Sequence, residues 1–305
     1  MKSFGTIFIF KTSLVMISVS YVLGALSYYE WMMPITLGFM CGISSGMVFF
    51  SGLMTTISNF KNPGLVTGLF TTASSIGAVI VPLVFGLTLN LIGWRIILIG
   101  CAVILSLEIL IKADVSNEGT TGSQRYTVDG YSKSGVVALI VFNFVTHLTF
   151  FVPYIFIYGY LVDTKSSIAT YYISLLGICQ IPGRLLSGVF IGKNWISSIN
   201  LNLIGCVMVL AAFVMCVISE LLLIPASVMF SLGISIISST VGLTMSHVSS
   251  PKYYTQIMTI ISLTRGMGVM VSTLGASLLA NLSLIYGLGL VSSIIGILSI
   301  LYPAI

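Results

Sequence analysis

"LLGICQIPGRLLSG", residues 175–188, sets Arg184 in the middle of a long apolar stretch. The nearest acidic residues along the chain are Asp163 upstream and Glu220 downstream. A cation at membrane depth costs at least ~2.5–3.5 kcal/mol on insertion scales, so it needs either a partner or a task. The rest of the chain decides whether this stretch is at membrane depth. Only 6% of the 305 residues are charged and 57% are hydrophobic, with a mean hydropathy of +1.13. A water-soluble domain covers itself with roughly a quarter charged residues. This chain has lipid for much of its surface, which makes it an integral membrane protein. Its net charge of +5 then reflects the basic bias of cytoplasmic loops, and nucleic acid is not a partner.

Cutting the sequence at Gly, Pro and charged clusters gives ten stretches of spanning length: about 4–27, 33–57, 64–88, 95–112, 135–160, 167–191, 196–218, 222–246, 255–280 and 285–303. The amino-terminal apolar run carries Lys11 and continues to Leu26, so it reads as a spanning helix and not as a cleaved leader. Tight turns such as "SNFKNP", "LVDTKS" and "IGKNW" join most neighbours. The segment "KADVSNEGTTGSQRYTVDGYSKSG", 112–135, is different, being polar, glycine-containing and mixed in charge. It reads as a flexible linker. The expected organisation is a four-helix bundle over 1–111, a cytoplasmic linker over 112–134 and a six-helix bundle over 135–305. The fold class is all-α and polytopic.

Charge gives the orientation. With the amino terminus inside, Lys2, Lys61, Lys112, Arg125, Lys133, Lys193 and Lys252 fall on the cytoplasmic side, against Arg95 and Lys165 outside. Even parity places both termini in the cytoplasm, and the resemblance described below makes the plasma membrane the expected location. Lys11 and Glu108 sit near inner helix ends, where long side chains snorkel. Asn281-Leu282-Ser283 forms a glycosylation sequon so close to the membrane that it is expected to stay unused.

Few side chains are left to carry chemistry. Gly42-Ile43-Ser44-Ser45-Gly46 fits G-x-S-x-G, but a nucleophile elbow needs a strand-to-helix turn, and this one lies in an apolar helical run. A glycine/serine packing face is the simpler reading. The five cysteines all lie in apolar stretches without metal-ligand spacing, and there is no carboxylate pair, P-loop or dinucleotide fingerprint. No enzyme activity, metal or cofactor is expected. His247 stands at a helix end beside "SSPK", where capping or solvation is the default use. His147 is mid-membrane and four residues after Asn143, hence on the same helix face. It can handle a proton, contact a substrate, or serve as a satisfied structural residue. Arg265, in "SLTRGMG", is a second intramembrane guanidinium at a depth similar to that of Arg184. Both could snorkel inward; two such cations instead point to a polar cavity whose natural occupant is an anion. A guanidinium offers a carboxylate a planar two-pronged fork.

"SNFKNPGLVTGLFTTASSIGAVIVPLVFGLTLNLIGWR", residues 58–95, resembles the monocarboxylate transporter family of the major facilitator superfamily. The resemblance rests on the turn Asn59-Phe60-Lys61, the small-residue helix from Gly68 to Ser74, and Gly93-Trp94-Arg95. "FFVPYIFIYGYLVD", "GICQIPGRLLSGVF" and "SLTRGMGVM" look like that family's seventh, eighth and eleventh helices. The resemblance implies alternating-access transport of a small, lactate- or pyruvate-like organic anion with a proton. It also implies an accessory single-span membrane protein for surface delivery. Arg184 matches the eighth-helix arginine that contacts the substrate carboxylate in proton-coupled members. Those members carry an aspartate four residues earlier; here that position is Gln180, which can hydrogen-bond to the guanidinium but cannot titrate. The chain begins at what matches the third helix, so the resemblance implies that the first two are lacking. The reading is a transporter-like protein binding its anion through Arg184 and Gln180, with Arg265, His147 and Asn143 as further cavity residues. The alternative is a truncated, non-transporting membrane protein or incomplete gene product of the same family.

Overall fold

Thirty glycines and many serines and threonines spread through apolar stretches shape the helices in two ways. Small residues let helix backbones approach closely where no hydrophobic force drives them together. Hydroxyls on a helix satisfy themselves on the carbonyl one turn back, so they survive away from water. Both devices recur throughout the computed structural model. It describes residues 6–29, 31–60, 62–109, 133–150, 153–164, 169–248, 254–279 and 282–301. Among these, every element is helical. Ser13, Ser18, Ser51 and Thr72 each donate to the carbonyl four residues back, at 2.6–3.0 Å.

The helices are α1 (Thr6–Ala25), α2 (Cys41–Asn59), α3 (Pro63–Ile109), α4 (Lys133–Thr149), α5 (Tyr158–Asp163), α6 (Ala169–Gly192), α7 (Ser198–Ile218), α8 (Leu223–Val248), α9 (Tyr254–Leu279) and α10 (Leu282–Leu301). Wider π-helical turns at Pro34–Met40 and Pro153–Ile157 lead into α2 and α5, each opened by the proline that lacks a backbone donor. Among the described residues, seven helical stretches are long and apolar enough to cross a membrane, and Lys133–Thr149 and Tyr286–Leu301 are shorter apolar helices. Over the described residues, each of the ten stretches read as spans is mostly helical, the fifth being divided among α4, the turn at Pro153–Ile157 and α5. The protein is an all-helical, multi-pass membrane protein.

The boundary between the third and fourth expected spans takes an unexpected form. α3 runs on without a loop, and its direction changes at Gly93, whose backbone (φ 76°, ψ 154°) is one that only glycine adopts easily. The linker expected at 112–134 lies outside the described residues except for Lys133 and Ser134, which begin α4. His247 closes α8, and its side chain lies outside the described residues, as does the sequon asparagine Asn281.

By packing, the chain forms two compact units: Met1–Lys61 with Val81–Gln124, and Asn62–Ile80 with Arg125–Ile305. In the first unit α1 packs on α2 and on the π-helical turn before it. A side chain at Gly24 would collide with Leu37, so glycine sets that approach. In the second unit α8 lies deepest, with 72% of its apolar window buried. It carries serines at every fourth position, and three of them meet α6. Ser227 bonds Tyr172 at 2.7 Å, Ser239 bonds Ser187 at 2.6 Å, and Ser235 lies where a Gly183 side chain would stand. α7 joins α8 through Gly205 against Gly233 and through Asn202, whose amide reaches Thr244 (2.7 Å) and Thr240 (2.8 Å). That amide is fully buried, and both its nitrogen and its oxygen have partners, as polar groups in this setting must.

Candidate functional site

The candidate site is built where the first part of α3 crosses α6 within the second unit. The two run antiparallel in backbone contact. A Cβ on Gly68 would stand 2.8 Å from the Gly188 Cα, one on Gly64 3.0 Å from the Gly192 nitrogen, and one on Gly177 2.9 Å from the Ala78 carbonyl carbon. The asparagine amide of Asn62 donates to the Gly192 carbonyl (3.3 Å), and Ser174 donates to the Val79 carbonyl (3.2 Å). Gly64/Gly68 and Gly188/Gly192 are both small-xxx-small pairs, the spacing that puts two glycines on one helix face. This close crossing brings the Arg184 side chain against α3.

Arg184 is buried, with 7% of its surface exposed. Its Nη1 donates to the Thr71 carbonyl and to the Ser74 hydroxyl. Its Nη2 donates to Gln180 Oε1 at 2.9 Å. Gln180, also buried, donates from Nε2 to the Tyr154 hydroxyl, and Ser75 donates to Gln180 Oε1 at 3.5 Å. Every partner is neutral, and among the described residues no carboxylate pairs with Arg184. Its Nε is buried with no hydrogen-bond partner. Dipolar acceptors orient a guanidinium without cancelling its charge, so the positive charge stays available to an anion. Ser74 is an exposed residue whose hydroxyl also donates to the Thr71 carbonyl at 2.9 Å.

The residues named from sequence separate into two groups. Arg184 and Gln180 bond directly. Asn143 and His147 lie together one turn apart on α4. His147 Nδ1 contacts the Asn143 carbonyl at 2.8 Å; because a carbonyl only accepts, Nδ1 carries the hydrogen and Nε2 is left as the acceptor of the neutral ring. The Asn143 amide donates to the Leu139 carbonyl at 2.8 Å, while its Oδ1 is buried and unpartnered. α9 lies against this part of α4 at Gly268, one turn beyond Arg265; a Cβ there would be 2.6 Å from the Phe144 carbonyl oxygen and 3.2 Å from the His147 Cβ. A stacked ladder links the groups: His147 on Phe150 at 5.4 Å, Phe150 on Tyr154 at 5.9 Å, and Tyr154 to Gln180.

A multi-pass helical protein, with an uncompensated arginine held by the small-residue crossing of α3 and α6, is built like a solute carrier. Residues 1–273 match the sequence model of the Major Facilitator Superfamily. The chain belongs to that superfamily. Its general activity follows: the protein is a secondary transporter for a small solute. No curated protein matches the chain.

This superfamily member uses three groups that sequence reasoning passed over: Tyr154, the Thr71/Ser74/Ser75 cluster and the α8 serine stripe. The paired small-xxx-small spacings at 64/68 and 188/192 carried the signal for the second, and the four-residue serine period carried it for the third. The hydrolase pattern around Ser44 meets no elbow. Ser44 is fully buried within α2 and donates to the Met40 carbonyl at 2.7 Å, so its proton is already engaged. Among the described residues, no group of His, Cys, Asp and Glu is arranged to hold a metal.

Proposed function

We propose that this transporter carries a small, monocarboxylate-like organic anion, with Arg184 as the cation that binds the carboxylate. The observation that carries the reading is the Arg184 environment: a buried guanidinium held by a carbonyl, a hydroxyl and an amide, with no carboxylate beside it among the described residues. An arginine kept for stability alone would be paired or replaced by an apolar residue. One kept to bind an anion must leave its charge available. Gln180 orients the guanidinium and, in turn, is oriented by Tyr154. Where acidic relatives in the resembling family place a titratable aspartate, Gln180 offers only a hydrogen bond, so this position does not carry a coupling proton. Alternating access would expose the site to each side of the membrane in turn. The positive-inside bias supports cytoplasmic termini, and the resemblance supports the plasma membrane.

The test is uptake of radiolabelled pyruvate or lactate into proteoliposomes holding the purified chain. The wild type should accumulate label above empty vesicles, and Arg184→Ala should reduce uptake to that background. Undiminished uptake by folded Arg184→Ala protein would overturn the assignment of Arg184.

A further inference from the structure

Arg184 is not the only cation left uncompensated in the second unit. The Nε and Nη2 atoms of Arg265 are both buried without a hydrogen-bond partner, and among the described residues no carboxylate pairs with it. Arg265 lies one turn before Gly268, where α9 meets His147, and the ladder His147–Phe150–Tyr154–Gln180 leads from there to Arg184. The residues around them add no negative charge. Gln180 is neutral, Asn143 is neutral, and His147, with its Nδ1 hydrogen given to the Asn143 carbonyl, is neutral or positive. One monocarboxylate would neutralise one of the two cations and leave the other buried and unpaired, an arrangement of high energy in a medium of low polarity.

We infer that Arg184 and Arg265 form one divided anion site and that the preferred cargo carries two negative charges, as a small dicarboxylate does. One carboxylate sits on Arg184 and the second on Arg265, so that loading neutralises both guanidiniums. The approach of α9 to α4 at Gly268 fixes Arg265 at its end of the site. The unpartnered Oδ1 of the fully buried Asn143 adds an acceptor near that end, suited to a hydroxyl on the same cargo. This inference rests on the anion reading of Arg184 and deepens it: the site takes a monocarboxylate at Arg184 and holds a dicarboxylate more tightly.

The experiment measures binding of propionate and succinate to the purified full chain, by competition or calorimetry at neutral pH, for the wild type, Arg265→Gln and Arg184→Gln. The wild type should bind succinate tighter than propionate by about tenfold or more, the scale of one extra charge-assisted pair. Arg265→Gln should erase that preference by weakening succinate more than propionate. Arg184→Gln should weaken both ligands. Equal wild-type affinity for the two acids, or equal losses of both in Arg265→Gln, would overturn the two-charge site while leaving Arg184 as the anion residue. Binding of neither acid, or binding indifferent to Arg184→Gln, would overturn both readings. Malonate and glutarate in the same assay serve as a ruler, because a divided site selects one chain length.

Discussion

Arg95 and Arg184 are the same residue in two settings, and they are solved in opposite ways. Arg95, in the first unit, is exposed; its guanidinium lies 5.7 Å from the Tyr28 ring centroid and 5.1 Å from that of Trp94, and Nη2 donates to the Ser27 carbonyl at 3.3 Å. An arginine over aromatic rings just past a helix bend is built like an ordinary anchor at a membrane–water boundary. Arg184 is buried, meets only neutral dipoles and keeps one donor idle. Water and aromatic faces stabilise the first charge. The second has no comparable compensation among the described residues, which is why a transported anion is the fitting partner. Position, not residue type, separates an anchor from a site.

The comparison is broken most forcefully through the helix crossing that holds Arg184. Gly188→Leu would drive a side chain into the Gly68 backbone, where even a Cβ comes within 2.9 Å of its Cα. The expected outcome is loss of folded, monodisperse protein on size-exclusion chromatography, or survival with all anion binding gone, since overpacking costs about 1–3 kcal/mol or more. A folded variant with wild-type binding would contradict the crossing as the scaffold of the site.

Gln180→Glu sharpens the comparison by giving Arg184 the counter-charge it lacks. A carboxylate one helical turn away would form an ion pair with the guanidinium and compete with the cargo. Anion affinity should fall by about tenfold or more at neutral pH, the worth of roughly 1.4 kcal/mol. Acidification, which protonates the new carboxyl, should restore it. Affinity unchanged across pH would mean that the amide position does not face the bound anion. The smallest effect belongs to Arg95→Ala. It removes two cation–π contacts and one hydrogen bond at an exposed site, worth about 0.5–1 kcal/mol each at most. Melting temperature should drop slightly, with anion affinity unaltered; a lost affinity would erase the distinction between anchor and site.

Much of the architecture was legible before any coordinates. Hydropathy and punctuation located most of the helical sequence, because a span must satisfy its own backbone and so leaves a long, regular signature. The break at Gly93 was readable as a boundary but not as a bend, since a glycine with positive φ looks like any other glycine in sequence. Arg184 and Gln180 were readable as a pair because four residues make one helical turn. Tyr154 and the Thr71–Ser75 cluster were not, because they reach Gln180 or Arg184 from sequence separations of 26 to 113 residues. Only helix packing brings them in. The glycine pairs at 64/68 and 188/192 held that information in a form that needs a partner helix to be read. Arg265 and His147 were each visible as polar residues at depth; the approach of their two helices depended on Gly268 and could not be seen from either alone.

The most direct test of the central claim is equilibrium binding of a labelled organic anion to purified Arg184→Ala protein beside the wild type, with folding of both verified by their elution profiles. The account predicts saturable binding by the wild type and loss of about a hundredfold or more in the variant, the scale of removing a buried charge-assisted partner. Equal saturable binding by the two proteins would show that the buried guanidinium is not where the anion rests.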